Sequence, residues 1–228
     1  MNWFSAFLTS SIGRKVVMGV TGLSLIAFLL VHCGINACIF LNDGGETFNK
    51  AAHFMGSNFF IRAAEVGLFG GIILHAVQGL LLWADQKKRR PVAYEVTAGG
   101  ATSKWYSRSM GLLGTIILLF MIMHLYHFWV PSRITGLSEV MIDGEPHHNL
   151  YAEMQIVFES LWVVVLYVFA VISLAYHLLH GFQSAFQTMG WNHRQYTPII
   201  KAIGFGYSII IPIIFALMPI LMHFKIVE

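Results

Sequence analysis

The sequence predicts an all-α fold, a membrane-embedded bundle of five transmembrane helices, and three observations lead to it. Only 11% of the 228 residues are charged and the mean hydropathy is +0.67, far from the composition of a water-soluble domain. Five long stretches carry no Asp, Glu, Lys or Arg: 16–42, 66–84, 109–132, 160–193 and 202–224. Each can supply the roughly 20 apolar residues that a helix needs to cross a hydrocarbon core of about 30 Å. The charges between them also alternate in sign along the chain.

In chain order the spans fall at 16–41, 62–84, 109–131, 157–182 and 200–223, within one transmembrane domain over 1–228. The first is too long for a cleaved signal and reads as a retained helix. Cys33 and Cys38 lie at its end and, five apart on one helix, make no bridge. Residues 49–58 predict a short interfacial helix. The fourth charge-free stretch is longer than one span, so its 183–193 end is expected at an interface. The segments 85–108 and 133–159 read as the longest loops, and no soluble domain is foreseen.

Arg14 and Lys15 precede the first span. Lys87, Lys88, Arg89, Arg90, Lys104 and Arg108 lie between the second and third, and Arg194 and Lys201 between the fourth and fifth. The opposite loops hold Lys50, Arg62 and Arg133 against Asp43, Glu46, Glu139, Asp143, Glu145 and Glu153. Basic loops stay in the cytoplasm. The N-terminus is therefore expected inside and the C-terminus outside, in the inner membrane of a prokaryote. The run Lys87–Arg90 then marks topology rather than nucleic-acid binding.

Eleven histidines are many for this length. His53, His147, His148, His193 and His223 fall at span ends or in loops and receive no role. Six lie within spans: His32, His75, His124, His127, His177 and His180. Ionisable residues inside a membrane are candidates for function because leaving them there unpaired is costly. Their depths sort them. His32 stands 18 residues after Arg14 and His124 stands 16 after Arg108, which places both in the outer half. His75 stands 10 residues before Asp85 and His177 stands 6 before Gln183, which places both in the inner half. At the α-helical rise the two levels are about 10–15 Å apart. Two facing histidines at each of two levels in a four-helix bundle suit two stacked b-type haems, each iron with two axial imidazoles.

Small residues agree with this. Gly71, His75 and Gly79 share one helix face and offer room for a flat macrocycle, although Gly67 and Gly71 also form a helix-packing motif. Gly34, and Gly111 and Gly114 ahead of His124, hint at the same. A single four-histidine metal site built from His124, His127, His177 and His180 is the rival, and the mismatch in depth argues against it. His127 and His180 are expected just beyond the haems, against a propionate or a quinone oxygen.

The segments "LLVHCGIN", "FNKAAHFM", "ILHAVQG", "GTIILLFMIMHLYHFW" and "YHLLHGFQSAFQTMG", in this order and spacing, resemble the dihaem cytochrome b membrane subunit of succinate dehydrogenase and fumarate reductase, in its five-helix form. The resemblance covers residues 14–222. It implies His32 and His124 as ligands of a distal haem, and His75 and His177 as ligands of a proximal one. It implies a flavoprotein with covalent FAD and an iron–sulfur protein as partners on the cytoplasmic face, and menaquinone as substrate near the distal haem, with Glu65 a candidate for that site. Two positions depart from the family. Ala175 stands where some members carry a proton-conducting Glu, and Gly56 stands where some carry an acidic residue near the quinone. That leaves Glu65 and Glu159 as the nearest carboxylates on the outer side.

The function expected is transfer of electrons between a succinate/fumarate site on a partner chain and menaquinone. Alternatives are the dihaem cytochrome b subunit of a formate dehydrogenase or hydrogenase, or a histidine-lined membrane transporter. The sequence leaves open the direction of the reaction, the haem potentials and whether the complex forms a higher oligomer.

Overall fold

A computed structural model describes residues 2–88 and 104–227; Arg89 and Arg90 of the basic run lie outside them. The chain forms α1 (Trp3–Thr9), α2 (Ser11–Asn36) with a 3-10 extension over Ala37–Leu41, α3 (Glu46–Ser57), α4 (Phe59–Lys88), α5 (Trp105–Arg108), α6 (Met110–His124) with a π-helical continuation over Leu125–Trp129 and Pro131–Thr135, strands β1 (Glu139–Ile142) and β2 (Glu145–His148), α7 (Leu150–Phe158), α8 (Leu161–Thr188) and α9 (Thr197–His223). Among the described residues five helical stretches are long and apolar enough to cross a membrane: Ser11–Leu41, Phe59–Lys88, Met110–Thr135, Leu161–Thr188 and Thr197–His223.

The helices outrun the charge-free stretches because charges near their ends find partners. On α4, Arg62 pairs with Glu65 at 2.6 Å, Asp85 with Arg14 of α2 at 2.7 Å, and Lys87 lies 4.0 Å from the centre of the Trp83 ring. Helix α8 continues to Thr188, so much of the segment expected at an interface belongs to the helix itself. The chain turns off at Gly190, whose φ of 79° is a left-handed conformation that glycine adopts freely after a helix. Helix α9 carries Pro212 and Pro219 inside it, as membrane helices tolerate. The Ser208 hydroxyl, one turn before Pro212, bonds the Gly204 carbonyl at 2.7 Å.

The chain packs as two units. The first comprises Met1–Ala27, Gly67–Ile116 and Ser173–Ile209. In it the Phe182 ring stacks on Phe186 at 5.1 Å and lies beside Tyr207, whose hydroxyl donates to the Ile26 carbonyl at 2.6 Å. A side chain at Gly204 would run into the Phe182 ring, so glycine is required there. The second unit comprises Phe28–Val66, Ile117–Ile172 and Ile210–Glu228. Its core gathers Ile39, Phe48, Tyr151, Met154, Phe158, Val164, Tyr167, Met218 and Met222. Outside these cores much of the helix surface is apolar and exposed, including Leu74, Val77, Leu119, Ile122, Val165 and Phe169, as a lipid-facing surface must be.

The 133–159 segment is not the plain loop expected. The π-helix occupies its start, and β1 and β2 then pair antiparallel, Glu139 opposite His148 and Ile142 opposite Glu145. Asp143 and Gly144 join them with φ of 53° and 83°, the two positive values that a tight two-residue hairpin turn demands. Helix α7 follows, its first turn capped by Asn149, which accepts the Ala152 N–H at 3.0 Å. Helix α3 is the short helix foreseen at 49–58, beginning three residues earlier. Asn49 of α3 is buried and clasps this region: its Nδ2 donates to Asn149 and its Oδ1 accepts the Tyr151 N–H, at 3.1 and 3.0 Å. Gly45 (φ 79°) has a second reason to be glycine, since a Cβ there would strike the Tyr151 ring.

Candidate functional site

Each unit contains one of the facing histidine pairs expected from the sequence; the second unit also holds His53 and His147, to which the sequence gives no role, with ring centres 4.3 Å apart. In the first, His75 of α4 meets His177 of α8 with ring centres 6.2 Å apart and planes at 65°. The His75 Nδ1 lies 3.1 Å from the hydroxyl of buried Thr21 on α2. The His177 Nδ1 is buried with no hydrogen-bond partner. Glycines surround the pair. A Cβ at Gly22 would sit 3.5 Å from the His75 ring, and one at Gly114 or Gly181 would sit 3.9 Å from the His177 ring. Gly71 and Gly79 leave their face of α4 open: nothing lies within 4 Å of a Cβ at Gly71, and only the end of Met18 approaches one at Gly79. Two hints from the sequence change meaning. Gly114 stands beside His177, not beside its chain neighbour His124. Gly111 serves packing, because a Cβ there would lie 2.5 Å from the Trp83 indole.

In the second unit, His32 of α2 meets His124 of α6 with ring centres 5.8 Å apart and planes at 89°. Phe28 stacks on His32, Phe215 flanks it at 5.6 Å, and Phe120, Phe128 and Tyr167 ring His124. The His124 Nδ1 is again buried without a partner. Asn36, one turn after His32, donates to the His32 carbonyl at 2.8 Å and lies 3.4 Å from its Nδ1. Gly34 has nothing within 4 Å of a Cβ position.

The π-helical segment begins directly after His124. Pro131 has no N–H to continue an α-helical ladder, and Ser132 turns its hydroxyl back onto the Phe128 carbonyl at 2.5 Å. The N–H of Gly136 reaches five residues back to Pro131 at 3.0 Å. This segment presents His127 to Tyr167 of α8, Nδ1 to hydroxyl 3.0 Å with the rings stacked 12° from parallel. It also presents Trp129 to Glu65, Nε1 to Oε1 2.7 Å. The other Glu65 oxygen accepts from Arg62 at 2.6 Å and from Arg133 at 3.4 Å. Arg133 in turn covers Gly56, its guanidinium 3.4 Å from a Cβ built there. Glu65 is thus the centre of a small polar cluster, whereas Glu159 is exposed. His180 is half-buried on α8, one turn past His177.

The structure therefore brings together His32 with His124 and His75 with His177, and places His127 and His180 in different units. Among the described residues no three His, Cys, Asp or Glu side chains gather as a metal-ion site. A haem iron needs only two. With each imidazole nitrogen about 2 Å from a metal and the ring centre about 1 Å behind it, two rings on opposite sides of one ion have centres about 6 Å apart. Both pairs meet that spacing, no side chain stands at Gly22, Gly114 or Gly181 beside the His75 and His177 rings, and Gly71 leaves its face of α4 open one turn before His75. The residues fit the group.

Thr21, Gly22, Tyr167, Trp129 and Arg133 escape a reading of the sequence. Thr21 and Gly22 had a usable signal, a polar residue and a glycine together deep in an otherwise apolar helix. Tyr167 had none, since its partner is 40 residues away. No family model, no curated protein and no solved structure matches the chain.

Proposed function

We propose that this chain is the dihaem cytochrome b membrane anchor of a succinate:quinone oxidoreductase, a succinate dehydrogenase or fumarate reductase of the respiratory complex II type. One observation carries the reading: each packing unit holds one histidine pair at the separation of two imidazoles on a single iron, and the pairing is the one the family motifs imply. Bound haem would supply reversible one-electron transfer, with potentials set by the ligands and their surroundings.

The chain's own residues do the rest. His75 and His177 hold one haem, and His32 and His124 the other. Phe28, Phe120, Phe128 and Phe215 keep water from the second pair. The polar group of Glu65, Arg62, Arg133 and Trp129 forms a wall of the menaquinone site on the side of the His32–His124 pair, and there Glu65 fixes its neighbours in place. The orientation is N-terminus in the cytoplasm and C-terminus outside. The basic residues Lys87, Lys88, Lys104, Arg108, Arg194 and Lys201 then meet an iron–sulfur subunit and an FAD-bearing flavoprotein, which holds the dicarboxylate site.

The test is a pyridine haemochrome assay and an absorption spectrum of the purified chain. The expected result is two low-spin b haems per chain; one haem or none overturns the proposal. A chain without a Soret band would be read as a histidine-lined transporter. Two haems with copurifying subunits other than these two would move it to a formate dehydrogenase or hydrogenase.

A further inference from the structure

The four histidines differ in what surrounds their Nδ1 atoms, and the difference is sharpest at His75. The Thr21 hydroxyl lies 2.7 Å from the Val17 carbonyl, 3.3 Å from the Met18 carbonyl and 3.1 Å from His75 Nδ1. A carbonyl oxygen only accepts, and a hydroxyl has one hydrogen. Two oxygens 2.7 Å apart therefore have that hydrogen between them, and Thr21 donates to Val17. Its lone pairs remain, so the bond to His75 runs the other way, from Nδ1–H to Thr21 Oγ1. Thr21 is 8% exposed, so water does not compete for the position. The neutral ring carries one N–H. With that hydrogen on Nδ1, Nε2 is left with its lone pair. Gly22, next along α2, keeps the same ring free of a side chain on its Cε1 side.

We infer that Thr21 is a positioning residue for the axial ligand His75: it fixes the ring as the Nδ1–H tautomer, aims Nε2 at the iron and makes that nitrogen a stronger donor. The inference rests on the proposed haem ligation by His75. A hydrogen bond accepted from a ligand's distal N–H raises the ligand's basicity, which favours the oxidised metal. The other rings are held differently. His124 and His177 have Nδ1 atoms with no partner, and His32 has the Asn36 amide nitrogen, a donor, as its neighbour at 3.4 Å. Thr21 therefore acts on one haem only.

The test is a potentiometric titration, with low-temperature EPR of the oxidised protein, on the intact chain and on two variants, Thr21→Val and Thr21→Ser. Thr21→Val is expected to shift one of the two midpoint potentials upward and to alter one low-spin ferric signal, leaving the other haem as it was. Thr21→Ser, which keeps the hydroxyl, is expected to match the parent. Loss of one haem in Thr21→Val with retention in Thr21→Ser also supports the positioning role. Two unshifted potentials in Thr21→Val overturn it, as does a Thr21→Ser protein that behaves like Thr21→Val. An unmutated chain that carries no haem instead refutes the haem reading itself, before either variant is compared.

Discussion

At the scale of single residues, the pairing of rings decides which substitution removes what. His124→Leu takes one of two imidazoles from the His32 pair and leaves His75 and His177 facing each other at 6.2 Å. If the chain holds the two haems proposed above, this variant should lower the haem content from two to one, and His177→Leu should remove the other. Separate redox titration of the two proteins checks this; loss of the same haem in both refutes the pairing. His127 is not free to replace His124, because its Nδ1 is bonded to Tyr167 and its ring is stacked there. Gly111→Val tests a residue with a packing role only. With the Trp83 indole 2.5 Å from where the Cβ would lie, the helices must shift, at a cost of about 1–3 kcal/mol. The result should be a lower melting temperature with unchanged haem spectra. The histidine pairs were legible in the sequence because depth in a span is counted along one helix. Tyr167 was not, because which face of α8 turns toward α6 is settled by packing between helices, not by spacing along either.

At the scale of elements, the hairpin is the feature that the apolar pattern hid. Its signal was present as Asp143–Gly144 between two extended tetrapeptides, but a search for long apolar runs passes over so short a motif. The left-handed φ of 83° at Gly144 means that Gly144→Val should destabilise the turn by about 1–2 kcal/mol. Lys50 of α3 bonds Asp143 at 2.8 Å and Glu46 at 2.7 Å. The hydrogen bond from Lys50 holds the Asp143 carboxyl below its ordinary range, and Asp143 in turn holds the Lys50 ammonium above its own. A carboxyl whose pKa falls on folding adds stability above its unfolded pKa and loses it as the pH falls through the folded value. The protection factors of the amides across 139–148, their exchange relative to an unfolded chain at the same pH, should therefore be high at neutral pH and fall on acidification. Asp143→Asn should abolish that pH dependence, and added salt should weaken the contact, since both groups are at the surface.

At the scale of the whole molecule, the charge pattern predicts the direction of insertion. The ends of the five membrane-length helices carry Arg14, Lys15, Lys87, Lys88, Arg108 and Lys201 on one side, whereas at the opposite ends Arg62, Arg133 and Lys225 are balanced by Asp43, Glu65 and Glu159. A reporter enzyme active only in the cytoplasm should work when fused before residue 2 and fail when fused after 227; the reverse pattern refutes the orientation. Five helices of membrane length could be read from composition because hydrocarbon imposes one length and one polarity on every span. Their ends could not, because Arg14–Asp85 and Arg62–Glu65 satisfy one another and let the helices continue past the first charge.

The π-helical segment after His124 makes this chain sensitive to its own residue count. Each residue turns an α-helix by about 100°, so one residue held in a wider turn rotates everything beyond it by that amount relative to His124. His127 and Trp129 reach Tyr167 and Glu65 under this offset. Deleting one residue between Leu125 and Trp129 and closing the segment to a regular α-helix cancels the offset, so His124 and Trp129 would both keep their places. Closing the segment to a regular α-helix with no residue lost would instead turn Trp129 away from Glu65 by about 100° while His124 stayed in place. The one extra residue thus acts as a rotation, and it sets the polar cluster against the histidine pair without being a member of either.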